Sequence, residues 1–448
     1  MNRNRVLCRT GRTLSLAFFL SMLQLDIAAQ SAADSLLQDA TLDKVVSYAI
    51  KRQPRVQQAL IDESITAEQV KSKLGDWYPQ VSFNYLYQHN FQVQTNIIGG
   101  NPVQLGVNNT SALQFLLTQN IFNRDVLLAN RTKNEVQQLA RQQTAGTKID
   151  LVSSVTKAFY DVLATQMQTG VVNENIVRLE RSLKDAKAQY DAGVVDKTDY
   201  KRATIALNNA RATLKSTEEL LTAKTIYLKA LINYPAAEDL QIVYDTATLE
   251  REILLDTAAT AAYSNRVEFQ ILETQRHLQQ ANVKYNKWSY IPSVSASAAY
   301  IRNFLNDSFS KLYSQSFPNS YAGITVGFPI FQGGKRKYNI RAAEWQLRRT
   351  ELDIENLKNT VSTEQASALA NYKASLANYH AVKENVELAK EVYEVINLQY
   401  RAGVKTYLEV ITAETDLRTA QINYFNALYQ VLSSKTDVQK SRGDIRPE

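Results

Sequence analysis

The sequence predicts a mainly α-helical protein with a membrane β-barrel, in which a unit of helix, strand, strand, long helix, turn and helix occurs twice. Three observations lead to this fold class. Two long tracts lack proline, four short segments alternate apolar with small or polar residues, and one turn is repeated. In the repeat, residues 188–210 align with residues 398–420 without a gap. Helical and strand periodicities that follow each other along one chain indicate a mixed architecture.

The long helices are predicted by the absence of proline, which costs about 3 kcal/mol inside a helix. The chain has eight prolines, and none lies between 103 and 234 or between 330 and 446. Gly193 and Gly403 interrupt the two tracts, and glycine readily adopts the left-handed conformation that ends helices. We therefore expect two antiparallel helix pairs, with first arms at about 123–190 and 333–400 and shorter return arms at about 197–233 and 407–440. Helices at about 42–75 and 262–288 would stack end to end on the return arms.

The strands are predicted by a period of two, as in "PQVSFNYLYQ" and "AGITVGFPIF". Strands are expected at about 79–91, 111–122, 292–304 and 321–331, forming two hairpins with polar loops at about 92–110 and 306–320. Each strand is close to the length of a tilted strand in an outer-membrane barrel. A soluble sandwich, with the apolar faces packed together, is the alternative.

The number of strands per chain bears on the oligomeric state. Open strand edges leave backbone groups unpaired in lipid, so a membrane sheet has to close on itself. Four strands are too few to close alone. Two chains would give a filled barrel of eight strands, and three chains would give twelve strands with an open lumen. We favour three chains.

The repeat divides the chain into two similar halves behind a leader. We expect a signal peptide at 1–30, because four arginines precede an apolar run that is too short for a membrane-spanning helix. A retained membrane helix is the alternative. The first repeat is expected at 31–233, a linker at 234–260, the second repeat at 261–440 and a tail at 441–448. The only cysteine, Cys8, lies in the leader.

In the order and spacing of its motifs, the chain resembles the TolC family of outer-membrane efflux proteins, also called outer membrane factors. The resemblance covers nearly all of the chain after the leader. It rests on "TLDKVVSYAIKRQPRVQQA" at 41–59, "DWYPQVS" and "SYIPSVS" before the strands, "PIFQGGKRKYNIRAAE" at 329–344 and the paired "QYxAGV" turns.

This resemblance implies a homotrimer with a 12-stranded outer-membrane barrel on a long periplasmic α-helical barrel. It further implies a passive channel of a tripartite efflux or type I secretion system in a Gram-negative outer membrane. The partners would be a periplasmic adaptor (a membrane fusion protein) and an inner-membrane pump. We expect no enzymatic activity, cofactor or metal, since His89, His277 and His380 are too scattered for a metal site. Of the net charge of +7, the arginine-rich leader carries +3, and the rest is spread without a basic block, so nucleic acid is not an expected partner.

The resemblance also assigns roles to residues near the two turns. Gly193, Val194, Gly403 and Val404 would form the tips on which adaptor hairpins dock. The alternative is that the two glycines only close helical turns.

The other assigned residues lie within a few positions of the tip glycines, near the entrance of the channel. Tyr400 and Lys405 of one hairpin would meet Thr198 and Asp199 of another to hold a periplasmic gate closed. Glu409 would form a ring of carboxylates around the entrance, since a ring of like charges on a narrow axis attracts cations. A solvated helix face is the alternative for the two carboxylates, and Thr412 makes a second ring doubtful.

Two other protein classes fit parts of the pattern. A secreted or surface coiled-coil protein, structural or adhesive, would have the long helices but no alternating strands. A periplasmic adaptor would have one helical hairpin rather than two. The sequence leaves the exported substrate, the pump and the adaptor unidentified.

Overall fold

The computed structural model describes residue 37 and residues 39–193, 196–244, 246–257 and 262–446. The helices among them are α1 Leu42–Arg52, α2 Pro54–Gly75, α3 Arg124–Asp191, α4 Lys197–Ile232, α5 Thr246–Glu252, α6 Val267–Lys287, α7 Lys335–Arg401 and α8 Tyr407–Arg442. The strands are β1 Gln80–His89, β2 Thr95–Ile98, β3 Asn101–Gln104, β4 Asn109–Phe122, β5 Ser293–Asn306 and β6 Ser316–Gly327. The expected signal peptide and Val194 lie outside the described residues.

The order of elements confirms the duplicated unit of helix, strand, strand, long helix, turn and helix. Helices α3 and α7 have 68 and 67 residues, about 100 Å each at 1.5 Å per residue, and α4 and α8 have 36 residues each. The four-stranded sheet contradicts the coiled-coil alternative. We call α3 with α4 the first hairpin and α7 with α8 the second hairpin.

The shorter helices abut the ends of the return arms, as the lengths predict. Asn233 follows α4 in the left-handed conformation, and its side-chain amide donates to the Arg52 carbonyl at the end of α1. The side chain of Gln53 donates in return to the Leu231 carbonyl. The expected single helix at 42–75 is broken at Gln53, because Pro54 begins a new helix. The second of these helices begins at Val267 rather than at 262.

The sheet has the strand order β1-β4-β5-β6, with every neighbouring pair antiparallel. The two expected hairpins are therefore joined through β4 and β5. Phe83 pairs with Phe115, and their ring centroids are 4.9 Å apart on the apolar face. Strands β1 and β6 are the two edges, and each carries exposed apolar side chains, such as Val81 and Ile324, each 71% exposed.

Strand β6 lies earlier than expected, at Ser316–Gly327 instead of about 321–331. Its register follows β5, which begins at Ser293 opposite Gly327, so the pairing with β5 ends at Gly327. The loop expected at 92–110 contains a small hairpin, β2–β3, and the other loop contains a 3₁₀ helix at Phe309–Ser314. Strands of four residues and a helix of six are too short to show a hydrophobic period.

The segment between the repeats is tied to the second hairpin. Glu250 in α5 accepts hydrogen bonds from Tyr379, Lys383 and Tyr424, at 3.1, 2.9 and 2.7 Å. The hydroxyl of Tyr372 donates to the Ile253 carbonyl at 2.8 Å. These contacts hold the linker against both arms of the second hairpin.

Among the described residues, no helix has both the length and the apolar composition required to cross a lipid bilayer.

Candidate functional site

The candidate site lies at the tips of the two hairpins, where the repeated turns are. Gly193 and Gly403 have φ of 72° and 75°, a conformation that strains residues with a β-carbon. The Gly193 amide donates to the Tyr190 carbonyl and the Gly403 amide to the Tyr400 carbonyl, both at 2.9 Å. The repeated sequence therefore builds the same turn twice, and Val404 at the second tip is 72% exposed.

The return arms begin with different caps. In the first hairpin, the Asp196 carboxylate accepts from the Thr198 amide at 3.2 Å, which satisfies one of the free amides at the start of α4. In the second hairpin, Thr406 and Glu409 form a capping box, with the Thr406 amide 2.9 Å from the Glu409 carboxylate. The repeat thus conserves the turn but not the residue that caps the following helix.

Glu409 is also paired with Lys405, whose Nζ is 2.6 Å from Glu409 Oε1. The hydrogen bond from Lys405 and the one from the Thr406 amide lower the pKa of Glu409 to about 2. The side chains of Lys405 and Glu409 remain 35% and 40% exposed. This carboxylate is therefore ionised at neutral pH, and its charge is largely compensated within its own helical turn.

Tyr400 links the second hairpin to the first. Its hydroxyl donates to Gln189 Oε1 at 3.1 Å, and its ring lies 5.8 Å from the ring of Tyr407. Burial raises the pKa of Tyr400, and the negative charge of Asp199 raises it further. Asp199 therefore lies close enough to influence this phenol, although the hydrogen bond goes to Gln189.

A small apolar cluster packs the two tips against each other. Tyr407, at the start of α8, is 2% exposed and contacts Ala186 of α3 and Ala203 of α4. Small side chains on the first hairpin leave room for the large ring from the second. The two tips of one chain are consequently in direct contact.

Farther from the tips, a buried carboxylate joins the hairpins. Glu414 of α8 is 2% exposed, and its Oε1 accepts from Asn175 Nδ2 at 3.0 Å and Arg178 Nε at 3.3 Å. Burial raises the pKa of Glu414, and the charge of Arg178 opposes that rise. Burying a carboxylate is costly unless it is paired, so this contact needs both hairpins to be held in place.

The structure brings together some of the residues expected at the gate and leaves others apart. The charge of Asp199 raises the pKa of Tyr400, but the hydroxyl of Tyr400 bonds to Gln189. Lys405 pairs with Glu409, and Thr198 lies at the start of α4. Within the described part of a single chain, Lys405 and Asp199 form no ion pair. The proposed contact between them requires a second copy of the chain.

Sequence reasoning missed Gln189, Tyr407 and the buried trio of Asn175, Arg178 and Glu414. One signal was available: Glu414 follows Tyr407 by seven residues, between the buried Val410 and Leu417. A carboxylate at the helical spacing of the buried apolar residues is expected to be buried itself and to need a partner. No local pattern identifies that partner, because Arg178 is 236 residues away.

Comparison with known proteins gives a consistent result. The profile of the outer membrane efflux protein family matches residues 45–234 and 259–444, one match for each half. The outer membrane efflux protein BepC of Brucella suis is 21% identical over 400 residues, covering 88% of this chain and 83% of that protein. The outer membrane protein TolC of Vibrio cholerae is 20% identical over 426 residues, covering 93% of this chain and 94% of that protein.

Solved structures share the fold. The outer membrane protein VceC of Vibrio cholerae superposes with a TM-score of 0.72 at 15% identity, covering 91% of this chain and 97% of that chain. The MtrE outer membrane channel of Neisseria gonorrhoeae, in its open state, has a TM-score of 0.68 at 18% identity and covers 90% of this chain and 88% of that chain. The likeness therefore extends over both repeats.

Proposed function

Because the chain belongs to the outer membrane efflux protein family, we propose that it is the outer-membrane channel of a tripartite efflux or type I secretion system. It would act as a homotrimer that receives substrates from a periplasmic adaptor and an inner-membrane pump. Substrates would pass through it without chemical change. The family consists of channel proteins located in the outer membrane of Gram-negative bacteria.

The open four-stranded sheet is the observation that carries this proposal. Among the residues that the structure describes, the edge strands β1 and β6 have no partner on their outer side, and their apolar side chains are exposed. Unpaired edges are unfavourable in lipid and are removed by closing the sheet into a barrel. Pairing β6 of each copy with β1 of the next closes the sheet, and three copies give twelve strands around a lumen.

The hairpin tips are the proposed docking surface for the adaptor. Six nearly equivalent tips would face the inner membrane, because three chains each contribute Gly193 with Val194 and Gly403 with Val404. The identical turn geometry at the two glycines supports this assignment, since one adaptor surface then fits both kinds of tip.

The proposed gate lies directly behind the tips. Tyr400 and Lys405 of the second hairpin would act with Thr198 and Asp199 of a first hairpin. Lys405 is the residue that would reach across to a neighbouring copy, because the hydroxyl of Tyr400 is already bonded within its own chain. Lys405 would then be shared between Glu409 of its own turn and Asp199 of the neighbour.

Glu409 is the proposed ring carboxylate of the entrance. Three copies would place three ionised side chains around the axis, and such rings favour cations. The pairing with Lys405 reduces the net charge of this ring as long as the pair is intact. Release of Lys405 would expose the full charge of Glu409.

Purified protein in a planar lipid bilayer provides the test. The proposal predicts discrete single-channel currents, an oligomer that is resistant to detergent and dissociates on heating, and recovery from the outer-membrane fraction. Protein that folds with native helix content but carries no current would contradict the proposed function.

A further inference from the structure

The four long strands meet the helices at one end of the sheet. Because neighbouring strands are antiparallel, β1 and β5 begin at this end, and β4 and β6 finish there. We call the 14 residues next to each of these strand ends, on the helical side, the junction band. Its four segments are 66–79, 123–136, 279–292 and 328–341.

The junction band is strongly basic. It contains eleven lysines and arginines against four acidic residues, a net charge of +7. Residues 31–448 together have a net charge of +4, so the rest of that part of the chain has −3. On the strand side, residues 80–122 contain no Lys, Arg, Asp or Glu, and residues 293–327 contain three. The cations are dispersed over four segments of the sequence, and the fold brings them to one level.

Aromatic side chains accompany these cations. The guanidinium of Arg336 lies over the ring of Tyr290 at 5.1 Å, and that of Arg131 lies over Trp288 at 4.9 Å. Trp77 and Trp288, two of the three tryptophans of the chain, both lie in the junction band. Tryptophan and tyrosine are enriched where a membrane meets water, because their rings are apolar and carry one polar group.

The most exposed part of the junction band follows β6. Ile330 and Phe331 are 89% and 88% exposed, and they continue the exposed apolar side chains of β6, such as Ile324. Helix α7 then begins with three consecutive cations at 335–337 and has no acidic residue in its first turn. Cations in the first turn oppose the helix dipole, so the stability of the helix does not explain them.

The first repeat is built differently at the equivalent position. The side chain of Asn123 accepts from the Asp125 amide at 2.8 Å and caps α3, and Asp125 is an acidic residue in the first turn. Arg124 is the single cation of that turn and lies over the ring of Tyr285 at 4.5 Å. The three cations are therefore a feature of α7 and not a requirement of the duplicated fold.

The chemistry of this surface matches that of an anionic phospholipid. Lys335 and Lys337 are exposed, and within the part of the chain that the structure describes neither side chain forms an ion pair. Their ammonium groups suit the phosphate of a headgroup, and the exposed apolar side chains beside them suit the acyl chains. Lysine can lay its stem along apolar surface while its charge stays in water.

From this charge distribution we propose that the junction band, and residues 335–337 above all, binds the headgroups of anionic phospholipids in the leaflet that adjoins the helices. This inference rests on the proposed function, since it requires the sheet to lie in a membrane. Three copies of the band form a basic collar around the barrel. An anionic membrane surface attracts lysine and arginine close to it, so the collar sets the depth at which the barrel sits.

Tryptophan fluorescence measures this binding in protein reconstituted into vesicles, because Trp77 and Trp288 lie in the junction band. Brominated lipids quench tryptophan on contact, so brominated phosphatidylglycerol and brominated phosphatidylcholine report the relative affinity for anionic over zwitterionic lipid. We expect a preference for phosphatidylglycerol that weakens at high salt, since salt screens exposed charges. Equal quenching by the two lipids at low salt would overturn the inference.

The two exposed lysines provide the variant. Lys335→Gln with Lys337→Gln leaves Arg336 in place, whose guanidinium donates to Gln332 Oε1 at 3.2 Å. Each basic residue near an anionic surface changes the affinity by about fivefold, so the preference for anionic lipid should fall by at least that factor. Lys335→Arg with Lys337→Arg should keep the wild-type preference. The inference fails if the glutamine variant keeps it too.

Lys373→Gln with Lys390→Gln is the matched control, because these two lysines are exposed on α7 far from the strands. The control removes the same charge and should keep the wild-type preference for anionic lipid. An equal loss in the control would assign the effect to the net charge of the protein and overturn the inference.

Two other occupants of the junction band are distinguished in the same preparations. If free phosphate is the ligand, soluble glycerophosphate will abolish the preference for anionic lipid. If a second copy of the chain covers the two lysines, the glutamine variant will lose the detergent-resistant oligomer. Either result would overturn the inference.

The result is separable from the proposed function. A protein that conducts in a bilayer but shows no preference for anionic lipid leaves the channel in place and removes the collar. A protein that neither inserts into vesicles nor carries current removes both.

Discussion

The hydroxyl of Tyr400 donates a hydrogen bond to Gln189 Oε1 at 3.1 Å, which fastens the second hairpin to the first just before both tip glycines. This contact lies within one chain. The neighbouring Lys405 is paired with Glu409 of its own turn, at 2.6 Å. Tyr400 therefore bonds within its own copy, and we propose that Lys405 acts at the border with the next copy.

The first prediction concerns the gate. Tyr400→Phe with Lys405→Ser is expected to raise single-channel conductance, because a constriction in series dominates the resistance of a long pore. Lys405→Ser alone should give most of the increase, since Lys405 is the residue that we propose reaches across to another copy. The measurement is current through the purified channel in a planar lipid bilayer.

Tyr190→Phe is the control for the gate variants, because Tyr190 occupies the position of Tyr400 in the first repeat and stacks on Tyr200 through its ring. It should conduct like the wild type. Wild-type conductance in the Tyr400 and Lys405 double variant would show that these contacts do not hold the entrance closed.

The second prediction concerns adaptor docking at the tips. Gly193→Pro or Gly403→Pro should disrupt its turn, because proline fixes φ near −65° and lacks the amide that donates to Tyr190 or Tyr400. Adaptor crosslinking should weaken while the distant sheet stays folded. Gly403→Ala is the milder variant. It costs about 1–2 kcal/mol in the left-handed conformation, and its β-carbon meets open space. Undiminished crosslinking in both proline variants would refute the docking role.

The third prediction concerns ion selectivity and pH. Glu409→Ala should reduce cation preference, measured as reversal potential in a salt gradient, with a smaller effect on conductance. The loss of cation preference is expected to be large because the variant also leaves the positive charge of Lys405 unpaired. Since the pKa of Glu409 is lowered to about 2, wild-type selectivity from this ring should stay constant as pH falls from neutral to about 4. A marked loss of selectivity near pH 5 would assign the effect to other groups.

The fourth prediction concerns the linker. Glu250→Ala removes the acceptor for Tyr379, Lys383 and Tyr424 and should lower thermal stability, by about 1–3 kcal/mol if partly buried donors stay unpaired. The measurement is thermal unfolding followed by circular dichroism.

The hydrogen bonds from Tyr424 and Lys383 lower the pKa of Glu250. Its contribution is therefore present above the unfolded-state pKa of about 4.3 and is lost as pH falls below it.

Glu219→Ala is the matched control for the linker variant. Glu219 pairs with Lys215 four residues earlier on α4, and the two side chains are 65% and 71% exposed. Exposed pairs of this kind contribute little to stability, because water and salt screen the attraction. An equal loss of stability in both variants would show that the Glu250 contacts contribute no more to stability than an exposed ion pair does.

The sequence predicts those parts of this fold that depend on local rules. Two glycines and the lack of proline predict the positions of the hairpin tips, because the propagation and termination of a helix depend on nearby residues. Strand β6 was misplaced because its bounds are set by its partner β5, which begins at Ser293 after Pro292. In the candidate site, too, the features set by local sequence could be predicted and those set by distant contacts could not. The tip glycines were predictable, whereas the pairing of Glu414 with Arg178 depends on how distant helices pack.

The central claim is that four strands per chain close into a barrel with two further copies. Native mass measurement of the detergent-extracted protein tests it most directly. The account predicts a single species of three copies. A stable monomer or dimer that retains native helix content would contradict it.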